Sequence, residues 1–171
     1  MTPWLTVLGI GEDGLDGLSP ASRALVASAE LLVGGARHLG LVPASASGAA
    51  RLPWRMPLAD TIPELERWRG RRAVVLATGN PLCYGVGNKL LRHFSPAEIR
   101  IVPAPSAFSL AGARLGWDAA EVERVTLHGR PLESLRRHLA PGAKLIVLAA
   151  DGTTPAAVAR LLVKAGYGES R

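Results

Sequence analysis

Residues 8–20 read "LGIGEDGLDGLSP", and the glycines from Gly9 to Gly14 form a G-x-G-x-x-G pattern behind a short apolar run. Such a pattern marks a dinucleotide site when a helix begins within it and directs its N–H groups at the pyrophosphate. Here Ser19 and Pro20, a pair typical of a helix start, place the helix well after the glycines. The stretch therefore predicts a glycine-rich loop between a strand and a helix, and it disfavours an NAD(P)-dependent oxidoreductase.

Apolar runs alternate with helix-like stretches along the rest of the chain. The apolar runs are rich in Val, Ile and Leu, as in strands covered on both faces of a parallel sheet. The predicted strands are residues 4–8, 31–33, 73–77, 99–102, 125–127 and 144–149. Strands alternating with helices predict an α/β fold with right-handed crossovers. Because one β/α series ends and another begins within residues 115–124, we predict two domains, residues 1–117 and 118–171.

Composition limits the classes of function. The single cysteine among 171 residues cannot form an internal disulfide, and the N-terminus lacks the basic segment of a signal peptide, so a cytoplasmic location is expected. No uncharged run reaches the roughly 18 residues that span a bilayer, so no membrane segment is predicted. The net charge of +6 favours an anionic partner, but aromatic residues make up only 5%, which disfavours a base-stacking nucleic-acid surface.

Two further loops follow predicted strands. In the first, Asn80 is predicted to cap a helix that begins at Pro81. Gly85 and Gly87 would then lie inside that helix, where the close approach of another backbone or of a flat ligand would explain them. In the second, Ser106 lies near the N–H groups of a helix start. Ligands of open α/β sheets bind beyond the carboxyl ends of the strands, so the three loops together predict a binding site.

The same loops resemble a known family. "ATGNPLCYGVGNKLL" (77–91) and "VPAPSAFSLAGARLGW" (102–117) are similar to motifs of the tetrapyrrole (corrin and porphyrin) methylases. Residues 9–39 and 127–168 extend the resemblance over nearly the whole chain, in the family's order, toward members that methylate C5 of the macrocycle. The resemblance implies two α/β domains with S-adenosylmethionine in the cleft between them. It also implies that the second domain is truncated in this chain, so that an incomplete donor site and weak activity of the chain alone are expected.

The activity implied by the resemblance is methylation of precorrin-6Y at C5 in cobalamin biosynthesis, with S-adenosylhomocysteine as the released product. Implied partners are a polycarboxylate corrin precursor, a second copy of the chain and, in longer members, a second methyltransferase domain for C15 methylation and decarboxylation. Three alternatives stay open at this point. They are a non-catalytic domain that binds a tetrapyrrole or a partner, methyl transfer to an rRNA ribose, and the NAD(P) oxidoreductase.

Site residues follow from matching the family's motifs. The donor contacts implied by the resemblance are Gly11, Glu12, Gly79, Asn80, Cys83, Ser106, Ala107 and His128. Asn80 stands where the family usually has an aspartate. If the charge of that aspartate faces the donor, the affinity for the donor is lower in this chain. If the residue mainly shapes the loop, the affinity is unchanged. Because cations pair with the substrate's carboxylates, Arg37, His38 and Arg130 are the candidate substrate-binding residues. No catalytic residue and no metal ligand is predicted.

Overall fold

The computed structural model describes residues 3–170, and their contacts group into two units that divide between Ser106 and Ala107. Both units combine helices with parallel strands, so the predicted α/β class is confirmed. The domain boundary predicted after residue 117 would assign one more helix to the first unit, and it stays a prediction. None of the helices within residues 3–170 is both long and apolar enough to cross a bilayer.

The first unit contains a five-stranded parallel sheet. Its strands are β1 (Leu5–Ile10), β2 (Leu31–Gly34), β3 (Ala50–Pro53), β4 (Ala73–Thr78) and β5 (Ile99–Val102). Their order is β3-β2-β4-β1-β5, with β4 and β1 in the middle. β1 and β2 are buried along their whole length, as the continuous apolar runs predict for strands covered on both faces. The register pairs Ile10 with Thr78, so that β1 and β4 end side by side.

Four short helices surround this sheet, namely α1 (Pro20–Ala27), α2 (Ala36–Gly40), α3 (Ile62–Glu66) and α4 (Val86–Leu90). The predicted start of α1 is confirmed, because the Ser19 hydroxyl accepts a hydrogen bond from the Ser22 amide at 3.2 Å and Pro20 is the first helical residue. The helix begins well after Gly14, as the interpretation of the glycine motif requires.

Alternate strand residues point to opposite faces of the sheet and build two separate cores. One core joins strand residues to the segment around α1, and it includes Leu8, Leu32, Leu76, Leu18 and Val26. The other joins the intervening strand residues to α3 and α4, and it includes Val7, Val33, Val75, Leu65 and Leu90. The helices that follow β1 and β4 therefore cover opposite faces of the sheet.

The predicted helix start at Pro81 is wrong. The Asn80 side chain does not cap a helix; its Oδ1 accepts a hydrogen bond from the Leu82 amide at 2.9 Å and closes a turn, and α4 begins only after this turn. The two glycines are explained by the close approach of a backbone. A Cβ atom added to Gly85 or Gly87 would lie 2.5 or 2.8 Å from the carbonyl oxygen of Pro81.

The second unit contains a two-stranded parallel sheet of β6 (Val122–Thr126) and β7 (Lys144–Leu148), with the helices α5 (Ala107–Leu115) and α6 (Thr154–Lys164). β6 begins three residues before the predicted strand at 125–127, because its first half includes the exposed charged residues Glu123 and Arg124 and lacks a continuous apolar run. Within the part of this unit that the structure describes, a buried hydrophobic cluster is formed by Val125, Leu127, Leu135 and Leu161.

Candidate functional site

The carboxyl ends of β1 and β4 form the part of the first sheet where a ligand is expected. After β1 the chain crosses toward β2 over one face, and after β4 it crosses the opposite way toward β5 over the other face. Two neighbouring strands whose connections leave in opposite directions define a topological switch point, and open α/β sheets bind ligands just outside it. The residues that follow these strands are Gly11 and Glu12 after β1, and Gly79 and Asn80 after β4.

Three loops meet at this switch point through their backbones. The Gly79 amide donates to the Ile10 carbonyl at 3.2 Å, and the Ala104 amide after β5 donates to the Gly79 carbonyl at 3.1 Å. A Cβ atom on Gly9 would overlap the Gly79 carbonyl oxygen and lie 2.6 Å from the Ala104 nitrogen. Gly79 has a φ of +56°, and a Cβ atom there would lie 2.7 Å from the Pro105 carbonyl oxygen. Only glycine fits at these two positions.

The first unit brings six of the predicted donor residues to this edge of its sheet, namely Gly11, Glu12, Gly79, Asn80, Cys83 and Ser106. A Cβ atom on Gly79 would lie 3.2 Å from the Ser106 Cα, so the loops after β4 and β5 are in contact at this residue. Cys83 is half-buried in the turn after β4, where its amide donates to the Asn80 carbonyl at 3.0 Å. The part that each residue plays in binding stays a prediction.

The remaining predicted residues belong to the second unit. Ala107 is the exposed first residue of α5. His128 and Arg130 lie in an exposed turn after β6, in which the His128 amide donates to the Thr126 hydroxyl at 3.2 Å and the Arg130 amide to the Leu127 carbonyl at 3.2 Å. The carboxyl end of a strand thus positions both side chains, and their roles also stay predictions.

A polar cluster links the loop after β1 to the end of β4. Glu12 and Arg37 form an ion pair, and the Arg37 Nη2 donates to the Thr78 hydroxyl at 2.9 Å. The His38 Nε2 lies 2.8 Å from the same hydroxyl oxygen. Thr78 was not among the residues predicted from the sequence, although a hydroxyl residue that ends a buried apolar run is the feature that marks it. Arg37 and His38 are therefore positioned by Thr78 at the switch point.

Burial lowers the pKa of His38, the neighbouring Arg37 charge lowers it further, and the Glu12 charge partly opposes both effects. The His38 Nδ1 is buried and has no hydrogen-bond partner among residues 3–170. Because the guanidinium can only donate, the Thr78 hydroxyl accepts from Arg37, and it keeps its own proton and a second lone pair for the His38 Nε2. Burial and the adjacent guanidinium favour the neutral imidazole.

The lowered pKa of His38 predicts a pH dependence of stability. The unfolded chain takes up the proton near the ordinary histidine pKa of about 6.5, whereas the folded protein takes it up only at lower pH. The contribution of His38 to the free energy of unfolding is therefore present above about pH 6.5 and is lost as the pH falls through the folded pKa. Chemical denaturation between pH 5 and 7 checks this. We expect His38→Gln to flatten the slope of stability against pH, and His93→Gln, at an exposed position of the same unit, to keep it.

The fold is that of an α/β protein with a topological switch point, and comparisons with known proteins identify its family. The family model described as tetrapyrrole (corrin/porphyrin) methylases matches residues 5–171. The chain is 47% identical over 171 residues, all of its length, to a precorrin-6Y C(5,15)-methyltransferase (decarboxylating) from Sinorhizobium sp., and it spans 41% of that protein. It is 33% identical over 166 residues to a cobalt-precorrin-7 C(5)-methyltransferase from Salmonella typhimurium, covering 96% of this chain and 80% of that one.

Solved structures agree with this result. The crystal structure of a cobalamin biosynthesis precorrin-6Y methylase from Archaeoglobus fulgidus matches with a TM-score of 0.62 and 27% identity, over 86% of this chain and 73% of that one. The chain belongs to the tetrapyrrole methylase family. It spans about two fifths of the length of the curated C(5,15)-methyltransferases that it matches.

Proposed function

We propose that this chain is an S-adenosylmethionine-dependent methyltransferase domain that methylates a precorrin, precorrin-6Y or a close relative, at C5 of the macrocycle in cobalamin biosynthesis. The supporting observation is the pattern of coverage among its relatives. The chain matches two fifths of the C(5,15)-methyltransferase, which is named for two ring positions, but 80% of the enzyme named for C5 alone. The part that both relatives share with this chain is therefore best assigned to C5.

The switch-point loops fit the proposed methyl donor. Gly11 and Gly79 follow the ends of β1 and β4 and carry no side chains, and the short Asn80 side chain is held in its own turn, so backbone groups of these loops are the proposed contacts of a nucleoside. Gly11, Glu12, Gly79, Asn80, Cys83 and Ser106 are the proposed donor contacts of the first unit. Ala107 and His128, from the second unit, are added on the family resemblance.

The donor supplies an activated methyl group on a sulfonium, and the acceptor is an electron-rich carbon of the macrocycle. The residues of this chain would therefore act mainly by binding and orienting the two reactants and by excluding water. Alignment of this kind contributes several kcal/mol to catalysis without any protein nucleophile. Cys83 is accordingly proposed to line the donor site, with no covalent role.

Calorimetric titration with S-adenosylhomocysteine tests this proposal, with NADH as the control ligand. We expect S-adenosylhomocysteine to bind and NADH not to bind. A chain that binds NADH alone would favour the oxidoreductase alternative, and one that binds neither would contradict the donor site. A chain that binds S-adenosylhomocysteine but leaves its corrin substrate unmethylated would favour the non-catalytic alternative.

Asn80 provides a graded test in the same titration. Because its Oδ1 closes the turn with the Leu82 amide, we expect Asn80→Ala to weaken S-adenosylhomocysteine binding about fivefold, the effect of losing one hydrogen bond. Asn80→Asp places a carboxylate oxygen where the amide oxygen was, so the hydrogen bond to the Leu82 amide is kept. The affinity of this variant for S-adenosylhomocysteine should therefore stay within about twofold of the wild type if the residue serves to shape the loop. A much tighter Asn80→Asp complex would show instead that a negative charge faces the donor.

A further inference from the structure

We infer that Arg37 forms an ion pair with Glu12 in the free protein and exchanges this partner for a carboxylate of the tetrapyrrole substrate when the substrate binds. This inference rests on the proposed function, because it assigns the substrate side of the same site. It also gives Glu12 a second role, because its carboxylate forms the ion pair with the Arg37 guanidinium until the substrate binds.

Arg37 is held in a defined place beside the switch point. Its Nη2 donates to the Thr78 hydroxyl at 2.9 Å, and Thr78 is fixed by the pairing of β4 with β1. The His38 Nε2 lies 2.8 Å from the same hydroxyl oxygen and 3.4 Å from the Arg37 Nη2, so both side chains converge on Thr78. A guanidinium fixed through one nitrogen still presents a planar fork of donors, which suits a carboxylate.

The partner of this guanidinium is easily displaced. The Glu12 side chain is 82% exposed and that of Arg37 is 47% exposed, so water competes strongly for their ion pair. Exposed ion pairs of this kind are weak. The Glu12 backbone lies in a tight turn, in which the Gly14 amide donates to the Gly11 carbonyl at 3.2 Å. Exchange therefore requires rotation of one exposed side chain and no movement of the loop.

The charges around Arg37 favour an incoming anion. Glu12 is the only acidic partner of Arg37 among residues 3–170. His38 beside it favours its neutral form, so Arg37 is the cation of the cluster. Once Glu12 turns away, an unpaired guanidinium faces solvent beside the proposed donor loops. A ligand with several carboxylates, which the net charge of +6 also favours, suits this position.

Fluorescence titration with uroporphyrin, a tetrapyrrole with eight carboxylates, tests the inference without the methyl donor. We expect Glu12→Gln to bind uroporphyrin about two- to fivefold more tightly, because a weak competing ion pair is removed. We expect Arg37→Gln to bind about tenfold less tightly, because a charge-assisted contact is lost. The double variant should match Arg37→Gln, since Glu12 acts only through Arg37.

Matched controls separate this effect from general changes in charge. Glu121→Gln removes the carboxylate of another exposed ion pair, with Lys144, and should leave the affinity for uroporphyrin unchanged. A tetracationic porphyrin, which has no carboxylates, should not bind less tightly to Arg37→Gln than to the wild type. An unchanged or weaker affinity in Glu12→Gln, or no uroporphyrin binding by any variant, would overturn the inference.

Titration of the same variants with S-adenosylhomocysteine keeps the two proposals apart. If the nucleoside binds but the Glu12 and Arg37 variants do not differ toward uroporphyrin, the exchange inference fails and the donor site stands. If the variants differ as expected but the nucleoside does not bind, the carboxylate site stands and the proposed methyltransferase function fails.

Discussion

Gly9→Ala is expected to lower the free energy of unfolding of the first unit by about 3 kcal/mol or more. The added methyl group would overlap the Gly79 carbonyl oxygen and lie 2.6 Å from the Ala104 nitrogen, and both are backbone atoms that cannot rotate away. The hydrogen bond between the Ala104 amide and the Gly79 carbonyl would have to break or shift, which separates the loops after β4 and β5.

Urea denaturation followed by tryptophan fluorescence measures this effect, since Trp4, Trp54 and Trp68 all pack against a core of the first unit. Gly40→Ala is the matched control, because a Cβ atom there meets nothing within 4 Å and the residue lies in α2. Alanine at a helical position is favoured over glycine by up to about 1 kcal/mol, so this control should be at least as stable as the wild type. Superimposable unfolding curves for Gly9→Ala and the wild type would contradict the close packing of the three loops.

Gly79→Ala is expected to weaken S-adenosylhomocysteine binding by about 30- to 150-fold, the equivalent of about 2–3 kcal/mol. The residue has a φ of +56°, and its new Cβ atom would lie 2.7 Å from the Pro105 carbonyl oxygen and 3.2 Å from the Ser106 Cα. The loops after β4 and β5 would have to move apart at the position that carries two proposed donor contacts. Binding is the more sensitive measure, because a small displacement of the loops changes ligand contacts before it unfolds the sheet.

Gly70→Ala separates backbone strain from loop displacement. Gly70 also has a positive φ, of +83°, but a Cβ atom there meets nothing within 4 Å, and the residue precedes β4 at the opposite edge of the sheet. This variant should lose about 1–2 kcal/mol of stability, the cost of a left-handed alanine, and bind the nucleoside as the wild type does. Equal loss of binding in both variants would mean that strain, and not the position of Gly79, causes the effect.

Six of the seven described strands and the late start of α1 were predictable because they depend on local features, whereas β3 has a mostly exposed sequence and was not among the predicted strands. Continuous apolar runs require burial on both faces, and Ser19 followed by Pro20 satisfies a helix start with neighbouring atoms alone. The turn at Asn80 was not predictable in this way. The same two residues suit a helix start, and the turn is selected by the approach of the Pro81 carbonyl to Gly85 and by the Leu82 amide.

The site was predictable as a set of loops but not as a set of contacts. Parallel strands bring their carboxyl ends to one edge, so Gly11 and Gly79 are expected there from their places in the sequence. The pairing of Glu12 with Arg37 depends on the strand order. Because β4 lies between β2 and β1, the end of β4 lies close to both α2 and the loop after β1. The family's motifs assigned Glu12 to the donor, charge assigned Arg37 to the substrate's carboxylates, and only the topology brings the two side chains into contact.

The central position of β1 has a consequence for how the protein is made. Its Leu5 pairs with Ala73 of β4 and with Ile99 of β5, and with no strand nearer in the sequence. Ribosomes add about 5–20 residues per second, so the roughly 70 residues before β4 leave the first strand unpaired for about 4–14 s. During that interval the segment "LTVLGI" is an apolar strand with two open edges, and such exposed strands are prone to aggregation. Acceleration of synthesis through residues 11–72 is therefore expected to increase the soluble yield of this protein.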